Sequence, residues 1–462
     1  MKKAKRTLCR ALALLQLFAF ITAFSACAGH SHTGVLTALR TDTASGVPCC
    51  GVFQCTECGE TYEAGVTYRD VGLPVVRIEG DLEGISKENK KTATVIYDGD
   101  ISFTSRATLK WQGESSLLYP KKNFSLQFTD AHGTGKKIML RDAWGKQSKY
   151  CLKANWDDYA GARNLVSAKL WGEIVHSRKK NDRLDPLVNG GAVDGYPVLL
   201  YINGEYQGTY TMNTPKNRWI FGMTKKDTRA GLLFAEYWRD AVTMHKLIDR
   251  NASVEESGWE VEYCATEDTD EGTAWLYDGM NDLIGFLLEG DDTQFKTEIR
   301  KYTDVDRVID YMLFIHFICG ADNLGRNMLW ATFDGKKYVP SAYDLDSTWR
   351  LTSEADAAKL GLNWNDGSIL RTHLLFDRIM DHFENEIRAR YAALRESIFT
   401  YGHIEKLFSD FLDQAPEILR AAESERWPGQ SVIYNNLPQD FTRFFTQRAA
   451  ALDAYYGFEN QQ

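Results

Sequence analysis

The spacing of apolar residues changes along this chain from the pattern of strands to that of helices, and this change limits the folds open to it. Alternating or β-branched runs occupy the first half, and helical spacing dominates the second. The strand-like segments are 92–99, 101–111 and 197–212, and the helical segments are 304–318, 373–399 and 439–456. Asn203-Gly204 is a favoured pair for a two-residue hairpin turn. The pattern predicts an α+β fold with a β-rich N-terminal half and a helical C-terminal half.

The N-terminus has the pattern of a secretory signal peptide over residues 1–27. A basic start precedes an almost wholly apolar run at 11–24, and small residues follow. This run is shorter than the roughly 20 residues that a retained membrane span needs. The sequence FSAC at 24–27 also resembles a bacterial lipoprotein signal, in which Cys27 would be lipidated and attach the protein to a membrane. We therefore expect export, either to the cell surface as a lipoprotein or to the extracellular space.

The rest of the chain divides into a small segment and one large domain. Residues 28–72 are rich in Gly, Thr and Cys, which predicts a tether or a small Cys-containing module. Residues 73–456 contain no Pro/Gly/Ser-rich linker and no repeat, which predicts a single large domain. The formal net charge of -9 excludes a general nucleic-acid binder, because such a protein needs a basic face.

The cysteines predict either a zinc site or disulfides near the N-terminus. Four of them cluster: Cys49, Cys50, Cys55 and Cys58. The C-x-x-C-G sequence at 55–59 is typical of a zinc knuckle, but an adjacent Cys-Cys pair chelates poorly, and disulfides compete in an exported protein. We expect His30 and His32 to lie in the tether without joining the cysteines on zinc. Three other cysteines are expected in the core: Cys151, Cys264 and Cys319.

An Asp and an Asn five positions apart follow a long apolar helix. Asp322 and Asn327 precede a predicted hairpin over 328–346, and its second strand brings Asp344 and Asp346 back to the same end. Protein kinases place a catalytic Asp five positions before an Asn, and a hairpin then leads to a metal-binding Asp. Carboxylate and amide oxygens are also ligands that suit Mg²⁺.

Two qualifications follow from the same residues. Side chains alternate along a strand, so only one of Asp344 and Asp346 should face a metal unless the strand ends there, and we favour Asp344. The usual kinase landmarks, such as H-R-D and D-F-G, are missing. A Ca²⁺ site or a turn-stabilising Asp cluster therefore remains the alternative.

A second segment has residue types that bind phosphate. Gly113, Ser115 and Ser116 are followed by Lys121 and Lys122 at the start of a strand. A Gly-containing turn can approach phosphates closely, and a Lys on a strand can pair with them. Neighbouring strand residues face opposite sides, so one of the two lysines is expected to be a solvated surface residue.

Together these segments resemble the CotH kinase family, named for a spore-coat protein. The resemblance covers about residues 73–455. The matching residues are Gly113, Ser115, Ser116, Tyr119, Pro120, Lys121 and Lys122 in the first segment, Asn155, Asp157, Arg163 and Asn164 in the second, the hairpin VLLYINGEYQGTY, the Asp322 and Asn327 loop, and the strand YVPSAYDLDSTW. Each piece is common by chance, but the combination is specific.

The resemblance implies an atypical protein-kinase-like fold that binds ATP with Mg²⁺ or Mn²⁺ and transfers phosphate to Ser or Thr of secreted or coat proteins. It implies that Asp322 is catalytic and that Asp344 binds the metal with Asn327, with Asp346 as the second choice. The expected cofactor-binding residues are Lys121, Lys122, Ser115, Ser116 and Arg163. Arg163 could instead stiffen the domain through a carboxylate.

Departures from the family pattern keep a second hypothesis open, in which the protein is an inactive surface binding, adhesion or spore-coat structural protein. Family members often have a Glu after the hairpin, where this chain has Asn213, although Glu236 could substitute. Glu114 also places an acid near the expected phosphates. Transfer of AMP rather than phosphate needs the same metal and phosphate-binding site, so residue types do not distinguish the two reactions. The protein substrate and the oligomeric state are equally open.

Other polar residues have ordinary structural explanations. Asp157 and Asp158 precede a predicted helix and are expected to cap it. His316 lies on an apolar helix and is expected to be a core residue.

Overall fold

The computed structural model describes residues 31–42, 46–158, 160–269, 271–349, 359, 361–430 and 438–459. The expected signal peptide, which ends at Cys27, lies outside the described residues, and so does His30 of the segment that follows it. The N-terminal half is rich in strands and the C-terminal region is mostly helical, so the predicted α+β class is confirmed. In the described part of the chain, no helix combines the length and apolar character that crossing a bilayer requires.

A small antiparallel sheet precedes the main body. Its strands are β1 (Gly34–Leu39), β2 (Cys50–Cys55) and β3 (Thr61–Gly65), followed by the short helix α1 (Tyr68–Val71). Leu39, Phe53 and Val71 pack with Leu199 and Tyr201 of the main body. The segment expected as a tether or a small Cys-containing module therefore contains a folded sheet docked through apolar contacts.

Seven strands then close into a barrel. They are β4 (Val75–Glu79), β5 (Lys91–Asp98), β6 (Ser102–Gln112), β7 (Asn123–Thr129), β8 (Lys149–Lys153), β9 (Gly195–Ile202) and β10 (Glu205–Asn213). Every neighbouring pair is antiparallel except β4 and β9. The predicted hairpin is β9–β10, and Asn203 and Gly204 have φ angles of 50° and 83° in its turn. Alternate residues such as Val95, Leu109 and Leu126 are fully buried in the barrel core.

The predicted hairpin in the second half forms part of a larger sheet. Its strands are β13 (Met328–Thr332) and β14 (Tyr338–Ala342), and β11 (Gly231–Ala235) and β12 (Trp259–Cys264) extend it in the order β12-β11-β13-β14. All five residues of β11 and of β13 are buried, so neither strand shows the alternation that marks a half-exposed strand. That is why the sequence pattern identified the hairpin and not the sheet.

Ten further α-helices lie along the described residues. They are α2 (Arg163–Ser177), α3 (Val254–Ser257), α4 (Ala274–Glu289), α5 (Asp292–Glu298), α6 (Val305–Ile318), α7 (Leu374–His382), α8 (Glu384–Arg395), α9 (Tyr401–Leu412), α10 (Glu417–Arg426) and α11 (Pro438–Tyr456). Asp304 caps α6 by accepting hydrogen bonds from the backbone N–H groups of Asp306 and Arg307. His316 on α6 is fully buried and contacts Tyr456 and the Trp364 carbonyl, so the prediction of a core histidine is confirmed.

Candidate active site

The chain leaves α6 through a sharp turn that presents Asp322. Cys319 ends α6 with a left-handed φ of 53°, and a 3-10 helix, Asp322–Leu324, follows. The half-buried Asp322 carboxylate accepts a hydrogen bond from Arg326 Nη2 at 2.7 Å. The loop is therefore anchored to the most buried helix of the fold, with one carboxylate directed to its surface.

Asn323, which the sequence did not identify, ties this loop to the end of β14. Its buried Nδ2 donates hydrogen bonds to the backbone carbonyls of Asn327, at 3.0 Å, and Tyr343, at 2.9 Å. The Tyr343 N–H donates to the Asn327 carbonyl at 3.2 Å. Asn327 and Asp344 are therefore held close to each other through their neighbours.

Asn327 and Asp344 share an uncommon backbone conformation. Their φ angles are 55° and 53°, in the left-handed region that Asn and Asp tolerate better than most residues. Non-glycine residues in this region cluster at functional sites, where the surrounding structure holds them in place. The Asn327 N–H donates to the Ala235 carbonyl at 2.7 Å, which supplies part of that restraint.

Asp344 and Asp346 both lie beyond the end of a strand. β14 stops at Ala342, so the alternation that would separate the two carboxylates no longer applies. Leu345 between them is fully buried, and its N–H donates to Asn164 Oδ1 at 3.1 Å. Asn164 lies in the first turn of α2, so that helix fixes the segment that carries both carboxylates.

Arg326 lies close enough to Asp322, Asp344 and Asp346 for each of the three carboxylates to affect its pKa. Burial lowers the pKa of Arg326, but Asp322 outweighs that effect, and Asp344 and Asp346 add to the increase, so the pKa is raised above its usual value. Arg326 is thus a cation placed among the carboxylates that the sequence singled out.

Lys153 completes the cluster, although the sequence analysis missed it. It is the last residue of β8, it is buried, and its Nζ lies 3.2 Å from Asp344 Oδ1. Burial is the largest influence and lowers the pKa of Lys153, but Asp344 together with the other acidic groups nearby raises it by more, so the ammonium stays protonated. The available signal was a Lys directly after the apolar run Tyr150-Cys151-Leu152 and before the Asn155 segment.

The two lysines expected to contact phosphate lie elsewhere. Lys121 is buried, and its Nζ lies 2.5 Å from Glu423 Oε1 and donates to the Thr209 carbonyl at 2.7 Å. Lys122 Nζ donates to the Leu117 carbonyl at 2.6 Å and lies over the Trp111 ring. Among the described contacts, neither lysine reaches the acidic cluster, which contacts Lys153 instead.

Lys121 borders a separate cavity of about 440 Å³ between the barrel and helices α9 and α10. Its lining includes Asn155, Thr209, Arg420 and Glu423. Asp322, Asn327 and Asp344 are not among the described residues that line it.

The Gly-Ser-Ser loop does lie beside Lys153. Asn123 Nδ2 donates to Ser116 Oγ at 3.2 Å, and Asn123 Oδ1 accepts from the N–H of Ala154 at 2.6 Å. Gly113 has a φ of 115°, and a Cβ there would lie 2.0 Å from Ser116 Oγ, so the turn needs glycine. Ser115 is exposed on the 3-10 helix Ser115–Leu118.

Arg163 and Glu114 each form an ion pair within the protein. Arg163 pairs with the buried Asp158 at 2.7 Å, and Asp158 also accepts a hydrogen bond from the Arg163 N–H, as a capping carboxylate does. Arg163 therefore takes the alternative structural position, bound to a carboxylate. Glu114 forms an ion pair with Lys87, which offsets its charge.

A second charged cluster lies against Tyr343. Lys216 Nζ lies 2.5 Å from Glu262, 2.9 Å from Glu260 and 3.7 Å from Glu236, and 5.7 Å from the Tyr343 ring centroid. Burial raises the pKa of Glu262 to about 7, although Lys216 opposes this. Glu236, considered as a substitute for the family Glu, therefore contacts Lys216 rather than Lys121 or Lys122.

Comparison with known families gives a match that covers most of the chain. The family model described as CotH kinase protein matches residues 109–452, a range that contains the Gly-Ser-Ser loop, Lys153, Asp322 and Asp344. A search of curated proteins finds no match. The chain belongs to the CotH kinase protein family.

Proposed function

We propose that this protein is an exported, atypical protein kinase with a kinase-like fold, which uses ATP and Mg²⁺ or Mn²⁺ to phosphorylate Ser or Thr of secreted or cell-surface proteins. The observation that carries the proposal is the contact between Lys153 Nζ and Asp344 Oδ1, which joins the barrel to the segment that follows the second sheet. In protein kinases a Lys from a strand and a metal-binding Asp meet at the nucleotide phosphates. Family membership supports the same reaction class.

The side chains present fit a hard divalent cation. Asp344, Asp346 and Asp322 offer carboxylate oxygens, and Asn327 offers an amide oxygen. Mg²⁺ and Mn²⁺ prefer such oxygen ligands, whereas thiolates and imidazoles favour softer metals. Among the described residues, the Asn327 side chain has no hydrogen-bond partner recorded, which leaves its amide oxygen available to a ligand.

Each residue then has a role that its position allows. Asp344 and Asn327, with Asp346, would hold the metal, which when bound neutralises phosphate charge. Lys153 would bind a phosphate oxygen, which is the role that the sequence analysis gave to Lys121 or Lys122. The N–H groups of the Gly113 loop would approach the phosphates. Asp322 would orient the substrate hydroxyl and accept its proton.

One observation favours the rival function, a binding protein without turnover. Arg326 already lies among Asp322, Asp344 and Asp346, and Lys153 already contacts Asp344, so protein cations satisfy the carboxylates without a metal. A protein of this kind would act as a surface adhesin or a structural component of a spore coat.

Calorimetry with the full-length protein tests the proposal. ATP should bind when Mg²⁺ or Mn²⁺ is present and bind at least tenfold more weakly without it, because metal and phosphates share the site. Asp344→Ala should abolish binding, whereas Asp322→Ala should retain binding and lose transfer. Asp268→Ala is the matched control, since this carboxylate is exposed and follows β12 at the sheet end away from Asn327.

The outcomes separate the candidates. Transfer of label from the γ-phosphate to a protein supports the kinase, and transfer from the α-phosphate with AMP retained would replace it with AMP transfer. If the folded wild-type protein showed no metal-dependent ATP binding, the proposed nucleotide site would be rejected. The hypothesis of a binding protein without turnover would then remain.

A further inference from the structure

A compact set of zinc-type ligands lies in the small N-terminal sheet, far in sequence from the candidate active site. The ligand atoms of His32, Cys55 and Cys58 all lie within 4.8 Å of one another. Cys58 Sγ is 3.8 Å from His32 Nδ1, and neither Cys55 nor Cys58 forms a disulfide bond. Sulfur and imidazole nitrogen are the ligands that zinc favours, and they differ from the all-oxygen set around Asp344.

Backbone hydrogen bonds prearrange these three side chains. The Gly59 N–H donates to the Cys55 carbonyl at 3.0 Å, and the Cys55 N–H donates to the Glu60 carbonyl at 2.8 Å, which closes a tight turn around Cys55 and Cys58. Gly59 has a φ of 75°, a left-handed conformation that glycine adopts without steric cost. The turn therefore places both thiols toward one point.

The pairing of β1 with β2 brings the histidine to this turn. Gly34 lies opposite Cys55 in the antiparallel register, and the N–H of Thr56 donates to the Thr33 carbonyl at 3.0 Å. His32 immediately precedes these residues, and its ring stacks on Tyr62 with centroids 5.2 Å apart. The stacking restricts the imidazole and keeps it beside the thiols.

The same geometry separates the other two cysteines of the cluster. Cys50 begins β2 and Cys55 ends it, so about five strand residues, or roughly 16 Å, separate them. Cys49 and Cys50 are buried at the opposite end of the strand. The zinc alternative with all four cysteines as ligands does not fit the fold. His32, which was expected not to join the cysteines on zinc, lies beside Cys55 and Cys58.

We propose that His32, Cys55 and Cys58 bind one zinc ion as thiolates and a neutral imidazole, with water in the fourth tetrahedral position. Binding releases the thiol protons and crosslinks the start of β1 to the turn after β2. The sheet has only five or six residues per strand, and such a crosslink would add stability to so small a unit. The proposal does not depend on kinase activity.

Metal analysis of the full-length protein tests the site. Protein purified without chelator and exchanged into metal-free buffer should retain stoichiometric zinc, and Cys55→Ser, Cys58→Ser and His32→Ala should each lose most of it. Cys50→Ser is the control, because it removes a buried thiol of the same strand and should retain zinc. The melting temperature of the main domain, followed by tryptophan fluorescence, reports whether each variant is folded.

Mass spectrometry of unreduced peptides provides the decisive second measurement. Free Cys55 and Cys58 that become alkylated only after chelation support the proposal. A disulfide between Cys55 and Cys58 in the isolated protein, or equal zinc loss from Cys50→Ser and Cys55→Ser, would overturn it.

Discussion

Two buried lysines of the same barrel differ in what surrounds them. Lys121, just before β7, pairs with Glu423 of α10, and Lys153, at the end of β8, pairs with Asp344. Burial lowers the pKa of both, but Glu423 does not outweigh it for Lys121, whereas Asp344, with other anions nearby, does so for Lys153. Glu423 is almost fully buried, and Asp344 retains a 31% exposed side chain. An enclosed pair is suited to structure, and a pair open to solvent on one side is suited to ligand binding.

The largest expected effect comes from breaking the enclosed pair. Lys121→Met should lower the free energy of unfolding by about 3–5 kcal/mol, because it leaves the Glu423 carboxylate buried without its cation. Adding Glu423→Gln should recover most of this loss, since an amide can still accept the hydrogen bond from the Thr209 N–H. Denaturant unfolding measures both, with Lys122→Met as the neighbouring control.

This prediction also tests the assignment of roles. Folded Lys121→Met should bind ATP with the affinity of the wild type. Loss of ATP binding in that variant, with less than about 1 kcal/mol of destabilisation, would return the phosphate role to Lys121 and contradict the comparison.

Breaking the Lys153–Asp344 pair, which is partly open to solvent, should lower activity rather than stability. Lys153→Met should lower kcat/KM for phosphate transfer about 100- to 1,000-fold, because it removes a preorganised cation from the phosphate site. Lys149→Met on the same strand is the control, since Lys149 is exposed. Activity equal to the wild type in Lys153→Met would exclude this lysine from the reaction.

Arg326 offers a way to sharpen the choice between kinase and binding protein. Arg326→Gln removes the cation that lies among Asp322, Asp344 and Asp346, so Mn²⁺ should bind about tenfold more tightly in the absence of nucleotide. Titration calorimetry with Mn²⁺ measures this, and Arg229→Gln, an exposed pair with Glu271, is the control. Unchanged Mn²⁺ affinity would mean that these carboxylates do not bind the metal.

The sequence predicted the local elements well and the long-range partners poorly. The Asn203-Gly204 hairpin, the α6 helix and the 328–346 hairpin follow from turn chemistry and periodicity, which act over a few residues. Asp322, Asn327 and Asp344 converge because those elements position them.

Lys153 was missed for the opposite reason. Its partner Asp344 lies 191 residues away along the sequence. No local sequence rule distinguishes a Lys at the end of a strand that contacts an acidic cluster from one that is exposed to solvent. Lys121 shows the converse, because its partner Glu423 lies 302 residues away, and nothing local separates a structural from a functional lysine. His32 likewise depends on the pairing of β1 with β2, which its own neighbours do not encode.

The smallest expected effect concerns Glu262 in the acidic cluster beside Tyr343. Its titration shows whether burial or the ion pair with Lys216 has the larger effect on its pKa. Burial raises the pKa of Glu262 from 4.5 to about 7, so the folded protein binds this proton more readily than the unfolded chain does. Stability from this group should therefore fall as pH rises from about 4.5 to 7 and stay low above that range. Glu262→Gln cannot titrate, so its melting temperature should fall less than that of the wild type between pH 5.5 and pH 8, by a few degrees.

Glu260→Gln is the matched control, because this more exposed carboxylate contacts the same Lys216. If the melting temperatures of Glu262→Gln and the wild type depended on pH identically, Lys216 would offset the effect of burial on the Glu262 pKa completely. Ion pairing would then outweigh burial in this cluster, as it does for Lys153.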